Sequence, residues 1–196
     1  MTEFKRLSCP ARIGSVSTSR TELLAAVAEF VGAGIERSGR CVVVTDGTSP
    51  EALLEGLSRS GLDAHTAALS GALIVADRAN ALDSSGMPLP RLTASATGRE
   101  TWVAVVNPPL LDEGNVNLSQ VAERALLARE TCLANGFVLF EALETPNYPT
   151  CDPVSLLRMY PSVYSRGAIC RNRYYIHTSE FLDSLDPDAR LDTVLN

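Results

Sequence analysis

A three-layer α/β sandwich around a mostly parallel sheet is predicted here on three observations. Short apolar runs rich in valine, leucine and isoleucine recur at 41–45, 72–76, 101–106 and 137–142. Segments with apolar residues at helical spacing lie between them, and polar turns containing Gly or Pro punctuate the two. Runs of five or six residues are too short for helices and lack the alternation of a one-sided sheet. They therefore read as strands covered on both faces.

The opening unit sets the pattern. Residues 12–17, Arg-Ile-Gly-Ser-Val-Ser, form a strand, and Ser17-Thr18-Ser19-Arg20-Thr21 a polar turn. A helix over 21–37 follows, with Leu23, Val27, Phe30, Val31 and Ile35 on one stripe. Ser19 or Thr21 caps it and Glu22 lies near its positive end. Ser38-Gly39 stops it before the strand at 41–45. In such a βαβ unit the first turn presents free backbone N–H groups that suit an anion. Nucleotide-binding versions fill that turn with glycines and close it with Lys-Ser or Lys-Thr. This turn has neither glycine nor lysine, and Gly14 lies in the strand before it. The layout of a phosphate loop is present in degenerate form, without its chemistry.

Further along, Ser49 caps a helix with Pro50 at its first position, running to about residue 60, and 64–69 add a helical turn. The third strand ends in Asp77-Arg78. Residues 79–100 are turn-rich, around Asp83-Ser84-Ser85-Gly86-Met87-Pro88, and are expected to be a loop, either mobile or a lid over a site. The fourth strand stops at Asn107-Pro108-Pro109. The longest helix, 117–135, turns Leu118, Val121, Ala122, Ala125, Ala128 and Cys132 inward and ends at Gly136. The fifth strand carries Glu141, a carboxylate that is costly there unless it is paired or faces a solvated cleft. A short helix from Asp152-Pro153 to 160, an irregular edge strand at 168–176 and a helical turn from 178 complete the chain. A flexible lead-in over 1–9, one domain over 10–185 and a tail over 186–196 are expected.

Composition bounds the function. The chain is 45% apolar and 20% charged, ordinary for a globular domain and too apolar for disorder. A net charge of −6 argues against a nucleic-acid or anionic-membrane surface spanning the domain. No run reaches the ~20 apolar residues of a membrane span, and the start lacks the apolar core of a secretory signal, so a cytoplasmic location is expected. Five scattered cysteines (Cys9, Cys41, Cys132, Cys151, Cys170) suit reduced thiols. Cys41 and Cys132 fall on apolar faces; Cys9, Cys151 and Cys170 are the thiols open to redox or haem chemistry. With only His65 and His177 besides, no metal or other cofactor is expected.

Three blocks carry a family resemblance. They are Gly34-Ile35-Glu36-Arg37-Ser38-Gly39-Arg40-Cys41-Val42-Val43-Val44-Thr45-Asp46 with Ser49-Pro50-Glu51; Leu69-Ser70-Gly71-Ala72-Leu73-Ile74-Val75-Ala76-Asp77; and Leu156-Leu157-Arg158-Met159-Tyr160-Pro161 with Arg171-Asn172-Arg173-Tyr174-Tyr175-Ile176 and Glu180-Phe181-Leu182. In this order they resemble the MEDS domain, the sensory domain of methanogens and of the methylotroph regulator DcmR. The resemblance implies a RecA-like sandwich without nucleotide hydrolysis, sensing small hydrocarbon derivatives beside transcriptional regulators or stress-response kinases. Two departures stand out: Ala11-Arg12 where relatives commonly carry a histidine, and the 86–100 loop where they carry a full helix.

The resulting expectation is a non-enzymatic sensor that binds a small organic ligand at the carboxyl edge of the sheet. Its lining would come from Ser17, Thr18, Ser19, Arg20, Thr45, Asp46, Asp77, Asn107, Glu141 and Glu144. The alternative is a ligand-free interaction module of a regulatory pathway. Its contact would be an exposed cluster of Tyr160, Tyr164, Arg166, Arg171, Arg173 and Tyr174, residue types favoured in binding hot spots. A regulatory protein partner is expected under either reading, and a homodimer stays open. No Gly-x-Ser-x-Gly elbow or nucleophile–base pair is visible, which argues against an enzyme.

Overall fold

A computed structural model describes residues 3–37, 39–94, 99–109, 111–112, 115–116, 118–149 and 152–177. After a 3-10 turn at Glu3–Arg6 come β1 (Ala11–Ser17), α1 (Arg20–Glu36), β2 (Arg40–Val44), α2 (Pro50–Arg59), α3 (Ala64–Leu69) and β3 (Leu73–Ala76). Then follow α4 (Arg78–Ala81), α5 (Pro90–Thr93), β4 (Thr101–Val106), the two-residue strands β5 (Leu111–Asp112) and β6 (Asn115–Val116), and α6 (Leu118–Asn135). The described chain closes with β7 (Phe137–Glu144), α7 (Pro153–Leu157), β8 (Ser162–Ser165) and β9 (Ala168–Arg171).

Seven strands form one sheet in the order β3-β2-β4-β7-β1-β8-β9, parallel throughout except for the β8–β9 hairpin. Alternation along each strand divides its two faces. Ile13, Cys41, Val43, Trp102, Ala104, Val138 and Phe140 pack beneath α1, α2 and α3. Val42, Val44, Val103, Val105, Phe137 and Leu139 pack against the segments around α4, α5 and α6. The predicted three-layer sandwich is what the chain forms. The central β4 is buried along its whole length, as its unbroken apolar run Trp-Val-Ala-Val-Val requires. Among the described residues no helix is long and apolar enough to cross a membrane.

Three expectations are corrected. Residues 3–9 are not a loose lead-in, because Phe4 is fully buried. Its ring stacks on Tyr164 at 4.7 Å between centroids and meets Phe30 and Phe140 edge-on at 5.4 and 5.5 Å. Nor is the segment after β3 a bare loop or lid. Leu82, Met87 and Leu92 insert into the second core, and Asp83 accepts backbone hydrogen bonds from Ser85 and Met87 that fold the turn back on itself. Burial of three large apolar side chains, each worth roughly 1.5–3 kcal/mol, fastens it to the sheet. The single edge strand expected over 168–176 is instead the β8–β9 hairpin, turning at Arg166-Gly167 with both residues at positive φ. The helical turn expected from 178 lies outside the described residues.

Phe4→Ala is expected to lower the unfolding free energy by about 3–5 kcal/mol, the cost of removing a buried phenyl ring. Urea denaturation checks this, and a variant as stable as the parent would return the first residues to the status of a tether.

Candidate functional site

The carboxyl ends of β1, β2, β4 and β7 meet in one polar network. Asp46, just past β2, accepts hydrogen bonds from Arg20 Nη1 at 2.7 Å, Arg20 Nη2 at 3.2 Å, Thr48 Oγ1 at 2.8 Å and Asn107 Nδ2 at 2.7 Å. Asn107, just past β4, turns with φ 44°, a left-handed conformation that asparagine tolerates better than most residues. Its Oδ1 accepts from the Glu144 backbone N–H at 2.8 Å, and the Glu144 carboxylate lies 3.9 Å from Arg20 Nη1. Partial burial alone would raise the Asp46 pKa, but the hydrogen bonds from Arg20, Asn107 and Thr48 outweigh it and hold it at about 2.

Beside the network lies a cavity of about 260 Å³, walled by Asp46, Arg78, Asn107, Pro108, Pro109, Asn147 and Tyr148. Arg78 donates from Nη2 to the Asn107 carbonyl at 2.6 Å, while its Nε is buried without a partner among the described residues. No carboxylate pairs with Arg78 among those residues either, although Asp46 does so with Arg20. The Tyr148 hydroxyl donates to the Pro108 carbonyl at 2.8 Å, which locks the wall opposite. The arrangement offers one guanidinium with spare donor capacity against proline and tyrosine surfaces. It suits a small molecule with an oxygen acceptor and an apolar body.

Of the ten ligand candidates, Arg20, Asp46, Asn107 and Glu144 converge. The others have different duties. Ser19 and Asp77 cap α1 and α4 through their side-chain oxygens. Thr18 donates from both its backbone N–H and its hydroxyl to the Glu22 carboxylate, at 3.0 and 2.8 Å. That closes the degenerate phosphate loop. β1 ends at Ser17 and α1 starts at Arg20, so the turn is two residues long, and the chain's own carboxylate occupies its donors. Ser17 faces a different groove, beside α1 and β8. Thr45 is fully buried and does not line the cavity.

Glu141 is corrected outright: it is 0% exposed and on the far face of the sheet from α1. Arg12 donates to its Oε2 from Nε at 3.0 Å and from Nη2 at 2.7 Å, and Arg124 donates from Nη1 to its Oε1. Burial would push this carboxyl up, but the Arg124 and Arg12 guanidiniums outweigh burial and hold its pKa at about 2. Arg12 also donates to the Met159 carbonyl at 2.9 Å and stacks 4.3 Å over the Tyr160 ring. That ring lies against Gly14 so closely that a Cβ there would collide with it. The glycine in the first strand therefore serves an aromatic packing contact, not a phosphate.

The expected contact cluster is also corrected in part. Tyr160 is 1% and Tyr164 8% exposed, the first stacked on Arg12 and the second in the Phe4 cluster with its hydroxyl donating to Glu29 at 2.8 Å. Arg166, Arg171, Arg173 and Tyr174 are exposed. Cys41 and Cys132 are buried thiols pushed up to about 12 by desolvation, whereas Cys170 is exposed. Cys151 lies outside the described residues. Among the described residues no group of three His, Cys, Asp or Glu side chains is placed to hold a metal. The residues that sequence reasoning missed are Arg78 and Tyr148, whose only signals were their places just after β3 and β7, and Arg124, which had none.

The strand order and the two helical layers define an α/β domain of RecA-like fold, in whose first turn the Glu22 carboxylate occupies the Thr18 donors. One solved structure with this fold is the flagellar accessory protein FlaH from Methanocaldococcus jannaschii, at a TM-score of 0.52 and 7% identity over 83% of this chain and 76% of FlaH. At that identity the likeness concerns the fold alone. No curated protein matches the sequence. The family model for MEDS, the methanogen/methylotroph, DcmR sensory domain, matches residues 14–177, and the chain belongs to that family of sensory domains.

Because the Glu141 pKa is depressed in the folded state, its contribution to stability is complete above its usual 4.5 and is lost as pH falls towards 2. Glu141→Gln, which leaves two buried guanidiniums without their anion, is expected to cost about 3–5 kcal/mol at neutral pH. The gap between parent and variant, followed by denaturant melts from pH 7 to pH 2, should narrow only below about 4.5. A gap independent of pH would refute the ion-triad account.

Proposed function

We propose that this sensory domain is non-catalytic and binds a small organic ligand in the cavity at the carboxyl ends of β2 and β4, signalling to a regulatory protein partner. The observation that carries the reading is Arg78, a guanidinium with an unpartnered buried Nε beside a cavity of about 260 Å³. Since a cavity of about 150 Å³ holds benzene, that volume admits a molecule of roughly ten heavy atoms. Its oxygen acceptor would face Arg78 and its apolar part Pro108, Pro109 and Tyr148. Membership of a sensory family and the small hydrocarbon derivatives implied by the resemblance agree with such a ligand. The self-occupied first turn, where Glu22 holds the Thr18 donors, argues against triphosphate chemistry. For the partner, exposed Arg166, Arg171, Arg173 and Tyr174 on and just after the β8–β9 hairpin are the contact this reading favours.

A thermal-shift series of short alcohols, ketones, carboxylates and halogenated alkanes tests the proposal. A ligand at 100 times its Kd stabilises by about 2.7 kcal/mol. At least one compound is expected to raise the melting temperature of the parent. Neither Arg78→Ala nor Asn107→Gly, which preserves the left-handed backbone while deleting the amide, should respond to it. Magnesium-ATP should be neither bound nor hydrolysed. Turnover of ATP, or a shift that persists in both variants, would sink the reading.

A further inference from the structure

A second concavity, of about 590 Å³, runs between α1 and the β8–β9 hairpin on the face of the sheet opposite the Glu141 triad. The last residues of β1 form its floor, Glu22, Ala25, Ala26 and Glu29 its α1 wall, and Tyr164 to Gly167 the wall opposite. Ser15 and Ser17 are only 3% and 7% exposed, and both line it. Neither hydroxyl has a hydrogen-bond partner among the described residues. Both serines are more than nine-tenths buried, and their hydroxyls, which open on the groove, are free to hydrogen-bond a polar occupant.

The walls define its chemistry. Glu22 and Glu29 are seven residues apart on one helix, two turns, so their carboxylates stand roughly 10 Å from each other along the axis. Each uses one oxygen within the protein, Glu22 for Thr18 and Glu29 for the Tyr164 hydroxyl. The Oε1 of each has no partner among the described residues. Between them the helix presents only the small Ala25 and Ala26. A groove with an anion at each end, hydroxyls on the floor and an apolar middle matches a chain of methylenes with an ammonium at both ends. We propose that this groove is a second binding site, for a linear diamine of about 10 Å span, separate from the strand-end cavity. Each ammonium donates to one glutamate, the inner protons reach Ser15 or Ser17, and the methylenes cover the two alanines. Arg166 on the rim leaves a net lining charge of −1 from two glutamates and one arginine, and it opposes the cation at the Glu22 end.

Isothermal titration of the full chain at low salt tests this with diaminoheptane, whose amines are at its two ends, against heptylamine and putrescine. Diaminoheptane is expected to bind at least roughly tenfold more tightly than either control, since only it engages both carboxylates. Glu22→Gln and Glu29→Gln should each weaken it by roughly tenfold or more. Both retain the acceptors for Thr18 and Tyr164, so an unchanged melting temperature will show that the fold survives. Arg166→Gln should tighten binding, and Arg78→Ala should leave it intact. Equal binding of heptylamine, no heat at millimolar diaminoheptane, indifference to Glu29→Gln, or loss of binding in Arg78→Ala would overturn the assignment.

Discussion

The Glu141 carboxylate is the constraint around which this domain is assembled. Sitting in the middle of β7 with no access to water, it requires compensation, since an isolated buried carboxylate would cost several kcal/mol or give up its charge. Arg12 supplies that compensation from β1, and Arg124 supplies it from α6. Each arginine then reaches further, Arg12 to the Met159 carbonyl beyond α7 and Arg124 to the Gly86 carbonyl in the turn between α4 and α5. One carboxylate thereby fixes the register of two strands, a helix and two connections. Hydrophobic packing alone would allow these elements to slide, whereas a buried charge tolerates only the arrangement that satisfies it. Replacing the triad with apolar side chains of equal volume need not destabilise the fold, so its value lies in specifying which fold forms.

The same economy explains the first turn. A helix N-terminus at the end of a parallel strand attracts anions, and in this chain the anion is Glu22. With a two-residue turn there is no room for a phosphate cradle, and with Tyr160 against Gly14 the strand's glycine is already used. The polar network of the strand ends lies one step aside, around Asp46, Asn107 and Arg78, where β2 and β4 diverge towards opposite neighbours in the sheet. That point, with β2 leading outward to β3 and β4 inward to β7, is where open parallel sheets leave a crevice.

The sequence made the strands legible because fully covered strands must be apolar throughout, as in residues 101–106 and 137–142. The caps were also legible, Ser49 outright and Ser19 as one of two candidates with Thr21, since the spacing of an oxygen acceptor from the helix N–H groups it serves is local. Long-range partners were not. That Glu141 would be paired was one of two open readings, but nothing local distinguished Arg124 from the other arginines; only the docking of α6 turns it inward. Tyr160 and Tyr164 looked like surface aromatics among arginines, and their burial depends on Arg12 and Phe4, more than 140 positions earlier in the chain. Phe4 itself precedes any periodic segment, so no pattern could assign it to the core. Arg20, Asp46, Asn107 and Glu144 were readable as strand-end residues, each at or just past the carboxyl end of a parallel strand, but the same rule also picked out Ser17, Thr45 and Asp77, which do not join the network.

How such a site would transmit binding follows from its hydrogen bonds. The core beneath it is rigid, with β4 and β7 buried on both faces, so a ligand cannot deform the sheet appreciably. Binding shifts a conformational equilibrium only through interactions that differ between states. Asn107 joins the ends of β2, β4 and β7 through one side chain, and its carbonyl is also the acceptor for Arg78. A ligand oxygen that draws Arg78 away from that carbonyl releases the Asn107 backbone, which is held in an uncommon conformation. Asn107 Oδ1 in turn holds the Glu144 N–H at the end of β7, beside β1, the strand that also pairs with β8, whose hairpin with β9 carries the exposed Arg166 and Arg171. The exchange of one hydrogen bond at Arg78 is therefore the smallest event by which occupancy of the cavity can reach the hairpin surface.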